Sequence, residues 1–377
     1  MSLWRLVKQE LSALMAHPSA RITVFLGALG YALLYPLPYA NQQPHDVMLG
    51  VVDPDASSLS RQLIRALDAT PQIEVQGVYS DQMTARKALE EQVIRGILVL
   101  PPDFEQRLKS HQGTTISYVG DGAYYLLYAT QAEGVMNAVG DLNETLASEI
   151  QLRLNPRAVS QDVPSFELSM MNAFNTELGY RNYVVPAVFL LILHQLALMG
   201  VATMTWTRGA QTLKLSWWRE TSARVLAFSA VFLLLALIYF AVIVPAYEIP
   251  TQRLGWLSVF YLLTFFLPVI LLGQCIGRFV EHPQHAVVFV ILTSMPIVFA
   301  AGFIWPSASV PSGWLYLVSV FPATHGIGGW LAVYIYGASL DDVKTILAGL
   351  LLLSLAFGGL DFWLRRRLQR RSRANVC

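Results

Sequence analysis

Five apolar runs, closely spaced between Val184 and Phe362, constrain this chain more than any other feature. The first, Val184–Met204, reads VVPAVFLLILHQLALMGVATM and contains no Asp, Glu, Lys or Arg. Val225–Tyr247, Leu254–Gly277, Ala286–Trp305 and Thr345–Trp363 follow. An α-helix rises about 1.5 Å per residue, so roughly 20 apolar residues cross the ~30 Å hydrocarbon layer. The core helices of a soluble domain do not come as five such runs in one stretch. A sixth, Ile22–Tyr39, lies near the N-terminus. The chain is therefore read as an integral membrane protein, an all-α bundle of six transmembrane helices. Only 14% of its residues are charged, against about a quarter in soluble domains.

The segment between the first two runs has another character. Residues 41–183 hold 18 acidic and 10 basic residues, a net charge of −8 within a chain whose total is +1. Val47–Val52, Ile73–Tyr79, Gly96–Leu100 and Thr114–Val119 read as strands. Ser57 or Ser58 caps a helix with Leu59, Leu63, Ile64 and Leu67 inward; Asp81 caps another, and Pro101-Pro102-Asp103 opens a third. A long helix runs from about Ala123 to Leu154, and Pro156–Tyr183 reads as an extended return to the bilayer. The alternation implies a small extracytoplasmic α/β domain over 41–183. Asp53, Asp55, Asp103 and Asp121 sit where turns and helix caps favour Asp, a better reading than a catalytic or metal cluster. Cys275 and Cys377 suggest no disulfide, and no Cys/His spacing resembles a metal site.

Before the first run, Leu3, Val7, Leu11 and Leu14 share a helical face, with Arg5, Lys8 and Gln9 elsewhere. Residues 1–20 read as an amphipathic helix in contact with membrane lipid at the interface, and 21–40 as an uncleaved first span. Counting Lys and Arg near the spans gives 14 on one side, six of them in the tail Arg365–Arg373, against Arg253 and Lys344 on the other. Basic residues concentrate on the cytoplasmic side. Both termini are thus expected inside, with 365–377 a basic cytoplasmic tail, which is preferred over nucleic-acid binding. The five-helix domain covers 184–364. Within it, 306–342 is apolar but broken at Pro311, Gly313, Pro322 and Gly326–Gly329. Its pieces, Trp314–Phe321 and Ile327–Tyr336, are too short to cross and read as two re-entrant helices.

Two motif groups carry a family resemblance. One is Gly302-Phe303-Ile304-Trp305-Pro306, then Val310-Pro311, Trp314-Leu315 and Phe321-Pro322-Ala323-Thr324-His325. The other is Val51-Val52-Asp53-Pro54-Asp55 with Ser57–Arg61, then Gly96–Phe104. Over nearly its whole length the chain resembles an ABC type-2 exporter permease with a large domain after the first span. One departure is local: the family's acidic ATPase-docking loop is here Thr207–Lys214, with Glu220 the only acid nearby.

The sequence has no G-x-x-x-x-G-K-[ST] phosphate loop, so the chain itself is expected to bind no cofactor and not to be an enzyme. The resemblance implies ATP and magnesium in a separate ATP-binding-cassette ATPase, a second permease copy or paralogue, a periplasmic adaptor, and a bacterial inner membrane. It implies ATPase coupling through Arg5, Lys8, Arg208, Gln211, Lys214, Arg219 and Glu220, and a re-entrant motif marked by Gly302, Pro306, Pro311, Pro322 and His325. It also implies that the second and fifth spans line the pathway. At helical spacing Phe189, Leu193, Leu196 and Met199 form one stripe, and Phe289, Leu292, Met295 and Phe299 another. Such a lining suits hydrophobic cargo, and Pro296 is expected to kink the fifth span. The alternative readings are an ion-coupled secondary transporter using His194, His325 and Asp361, and a membrane receptor with an outer sensing domain. His194 is read as an interhelical hydrogen-bonding residue.

Overall fold

The computed structural model describes residues 2–39, 44–110, 114–154, 179–252, 254–305 and 309–374. The chain divides into two compact units, one of Met1–Ala40 with Asn172–Cys377 and the other of Asn41–Met171.

The first unit opens with helix α1 (Leu3–Ala16). Its buried face is not the one that apolar spacing predicts. Leu6, Val7, Glu10 and Leu14 are buried while Leu3 is 42% exposed. The helix is turned so that an acidic residue faces inward, for a reason the site supplies below. Pro18, which occupies the first helical position where its missing N–H costs nothing, starts the first span, Pro18–Tyr39.

The second unit holds a four-stranded sheet of β1 (Val47–Val52), β2 (Ile73–Tyr79), β3 (Gly96–Val99) and β4 (Ser117–Gly120), in the order β2-β1-β3-β4. β1 lies parallel to β2 and β3, and β4 antiparallel to β3. Helices α2 (Ser58–Asp68) and α3 (Gln82–Glu90) make the crossovers, followed by α4 (Phe104–Lys109) and α5 (Tyr125–Leu154). The caps are those expected: Ser57 accepts from the Ser60 amide and Asp81 from the Thr84 amide. Leu49, Val51, Leu63, Leu98 and Phe104 close the core. Gln131 of α5 reaches the sheet, donating to the carbonyls of Val47 and Met48 and accepting from the Tyr118 hydroxyl. The four aspartates serve turns and pairs: Asp53 accepts from Ser60 Oγ at 2.6 Å, Asp55 from the Glu105 amide, Asp103 pairs with Arg107 and Asp121 with Arg95. Most of the predicted return segment lies outside the described residues; a helix is already formed at Tyr180.

Among the described residues five further helices are long and apolar enough to cross a membrane: Tyr180–Gly209, Trp217–Ala246, Trp256–Phe279, Pro283–Ala300 and Leu340–Arg370, here the second to sixth spans. With the first they make a mostly helical unit of six candidate spans. The second span is buried along most of its length and the fifth is mainly exposed. Most spans run past their apolar runs, because amphipathic turns extend them. The fifth instead stops early, at Ala300, followed by Gly302 with a φ of +81°, a backbone region that favours glycine. Two short helices follow, α6 (Ser312–Val318) and α7 (Pro322–Tyr334). Each begins earlier than its apolar piece, since Pro311 caps α6 and Pro322 takes the first position of α7.

Candidate functional site

Seven ionisable side chains meet at one end of the helical unit. Glu10 of α1 lies 2.7 Å from Arg208 at the end of the second span and 3.4 Å from Arg224 of the third. Arg224 also pairs with Glu220, one turn earlier, at 3.2 Å. Glu220 accepts in addition from Arg278 at the end of the fourth span, 3.1 Å away, and lies 3.3 Å from Arg365 Nε of the sixth. That last contact is an attraction of charges without hydrogen-bond alignment. Arg278 closes the cluster with a 2.6 Å bond to Asp361. Arg224, Glu220 and Asp361 have fully buried side chains.

Neutral donors and acceptors complete the shell. The Thr212 hydroxyl donates to Glu220 and the Trp217 indole to Asp361, each at 2.8 Å. Arg224 donates to Thr205 Oγ1, and Arg365 to the carbonyls of Thr212, Leu213 and Leu215. A lone buried charge is costly; a paired and hydrogen-bonded one is tolerated. Four guanidiniums against three carboxylates leave one positive charge in excess. The cluster joins α1 to the second, third, fourth and sixth spans. It also explains the rotation of α1, because Glu10 is drawn to two guanidiniums.

The residues expected to couple to an ATPase divide here. Arg5, Lys8, Gln211, Lys214 and Arg219 are exposed, Lys8 above the Trp4 ring. Arg208 is held by Glu10. The Glu220 side chain is instead wholly buried among three guanidiniums. Apolar spacing missed Glu10, Arg224, Arg278 and Arg365 as one group. The available signal was charge at the ends of apolar runs, together with a glutamate on the inward face of an amphipathic helix.

The two pathway stripes face differently. Phe189, Leu193 and Leu196 are buried and Met199 is half-buried. Phe189 packs edge-on against Tyr239 of the third span, ring centres 4.5 Å apart. Phe289, Leu292, Met295 and Phe299 are 41–71% exposed. Within this chain one stripe is packing surface and the other is exposed. Of the re-entrant motif, Gly302 follows the fifth span, Pro311 and Pro322 start α6 and α7, and exposed His325 brings Nε2 within 3.2 Å of the Ser319 carbonyl; Pro306 lies outside the described residues. His194 is buried, and neither ring nitrogen has a hydrogen-bond partner among the described residues, contrary to the expected interhelical bond. Asp361 serves the ion cluster. Among the described residues no group of His, Cys, Asp and Glu is placed to hold a metal.

Six candidate spans among the described residues, a charge cluster joining one end of the helices, and a separate α/β unit mark a multi-pass membrane protein. The family model "ABC-2 family transporter protein" matches residues 19–363, and the chain belongs to that family. It is similar to the "Probable multidrug ABC transporter permease YbhR" of Escherichia coli (strain K12), 23% identical over 375 residues, covering 97% of this chain and 98% of that protein. The protein of the same name from E. coli O157:H7 matches to the same extent. Members of the family are membrane subunits of ABC transporters rather than enzymes.

Proposed function

We propose that this chain is the permease subunit of an exporter, moving a hydrophobic or amphipathic substrate out of the cytoplasm or inner membrane at the expense of ATP hydrolysed by a separate subunit. It works as a homodimer or a pseudo-symmetric heterodimer above two ATPases that bind the ATP and magnesium. Both termini face the cytoplasm, and residues 41–183 lie outside, where they dock or gate, with a periplasmic adaptor as partner. The ion-pair cluster carries the reading. It fastens α1 and four spans together at the end where the basic residues concentrate. A motor that moves α1 or the Thr207–Arg219 segment therefore moves all of them. The exposed cations Arg5, Lys8, Lys214 and Arg219 lie on those same two segments. The cargo class rests on the exposed aromatic and methionine stripe of the fifth span and on the word "multidrug" in the relative's name.

Copurification from cells expressing the cognate ATPase tests this. The wild type should bring the ATPase down in mild detergent, and Lys214→Glu with Arg219→Glu should release it without loss of folded permease. Single cysteines at Ser80 and Gln211, in a background without the native cysteines, should label from opposite sides of intact cells. Recovery of the permease without any ATPase, or labelling of both positions from outside, would defeat the proposal.

A further inference from the structure

A second feature of the helical unit lies beside the ion cluster. An open cavity of about 680 Å³ runs between three spans, lined by Trp217 and Trp218 of the third, Leu267 and Leu271 of the fourth, and Leu355 and Gly358 of the sixth. That volume is within the roughly 300–1,000 Å³ range of ligand sites. A side chain at Gly358 would meet no atom within 4 Å, so the glycine leaves the groove wide. Leu355 is 75% and Trp218 71% exposed. These residues lie on candidate spans, and Leu3 of α1 also lines the cavity.

One end of the groove is aromatic and cationic. Trp217 packs edge-on against Phe362, centres 5.4 Å apart, and the Arg366 guanidinium lies 4.3 Å above the Phe362 ring. Arg367 stands over Trp363 in the same way. Tryptophan and its neighbours mark the headgroup level of a membrane. Arg366 is eight residues from Gly358, about 12 Å along the helix. Among the described residues neither Arg366 nor Arg219, which follows Trp218, has a carboxylate within ion-pair distance, and both are exposed. The contrast with Arg365, one position earlier and buried against Glu220, is sharp.

We infer that the groove is a binding site for one anionic phospholipid, its acyl chain between the third, fourth and sixth spans and its phosphate on Arg366 and Arg219. An arginine fork suits a phosphate, and two unpaired cations select a headgroup of net negative charge. The inference requires only that the chain sits in a membrane and stands apart from its direction of transport; Arg219 is shared with the proposed motor-docking segment, so the test reads lipid on the chain alone. The site also touches the ion cluster, because Trp217 both lines the groove and donates to Asp361.

The test is native mass spectrometry of the full chain in mild detergent, titrated separately with phosphatidylglycerol and phosphatidylcholine. The wild type should retain one phosphatidylglycerol. Arg366→Gln should weaken its retention about fivefold, and Arg366→Gln with Arg219→Gln roughly 25-fold, with little effect on phosphatidylcholine. Gly358→Leu should expel both lipids. Phosphatidylglycerol should raise the melting temperature of the wild type and not that of the double arginine variant, whose changes lie on the surface and spare the fold. Equal retention of the two lipids by the wild type, or unchanged phosphatidylglycerol binding in the double variant, would overturn the inference. So would a Gly358→Cys chain that crosslinks readily to its own copy, since a second protomer would then cover the groove.

Discussion

At the residue scale the decisive group is Glu220, which faces Arg224, Arg278 and Arg365 together. Removing one member of a buried pair leaves the other charge uncompensated, at a cost of about 3–5 kcal/mol. Glu220→Gln is therefore expected to lower the thermal midpoint of the purified chain strongly. Glu220→Gln with Arg224→Met should lose less than the two single changes added together, because each already removes the same contact. A Glu220→Gln chain melting like the wild type would show that the cluster does not hold the helices. In the other unit, Glu105 is held at about 2, against an ordinary 4.5, first by a hydrogen bond from Lys109 and then by the Ser58 hydroxyl. A depressed carboxyl pKa stabilises the fold fully above the unfolded value and ceases to do so as pH falls through the folded one. The α2–α4 contact should thus persist above pH 4.5 and be lost toward pH 2. In Lys109→Met the loss should begin at higher pH. Pepsin cleavage of full-length chains between about pH 5 and 2, compared at each pH, reads this out; identical profiles would refute the pairing.

At the element scale, close approach between helices gives a sharper test than hydrophobicity. A Cβ at Gly277 of the fourth span would lie 2.8 Å from Thr205 Cβ and nearer still to the Ala202 carbonyl of the second span. Backbone cannot turn aside as a flexible side chain can, so Gly277→Ala should cost about 1–3 kcal/mol. Gly349→Ala, with nothing within 4 Å, should leave the melting temperature unchanged or slightly raised. Equal effects at the two glycines would remove the contact from the argument. Elements of this kind were largely legible, because period and length dictate them: the strands at Val47–Val52 and Ile73–Tyr79 stand where alternation puts them, and the six apolar runs are helices. What apolar spacing does not contain is the azimuth of a helix. Leu3, Val7, Leu11 and Leu14 and the observed Leu6, Val7, Glu10 and Leu14 are both helical faces. The choice between them is made by Arg208 and Arg224, about two hundred residues away in sequence.

At the scale of the whole molecule, the fifth span exposes a row of apolar side chains whose meaning depends on what lies opposite it. The family resemblance puts Phe189 and Phe299 alike on stripes expected to line a pathway, yet their surroundings differ. Phe189 is fully buried against Tyr239, so Phe189→Ala opens an interior cavity and should cost about 3–5 kcal/mol and reduce the amount of folded protein. Phe299 is 49% exposed on a span where Leu292 and Met295 are also exposed. Truncating it removes a side chain about half of which faces outward, where lipid, cargo or a second protomer would touch it, and should lower the melting temperature far less than Phe189→Ala does. If the fifth span lines the path, Phe299→Ala in membrane vesicles will alter export and cargo-stimulated ATP hydrolysis at normal permease content. Phe189→Ala, in contrast, will lower both in proportion to the folded protein remaining. If Phe299→Ala transports as the wild type does while Phe189→Ala keeps full content and loses transport, the path runs along the second span. The packing seen around Tyr239 would then have to open during transport.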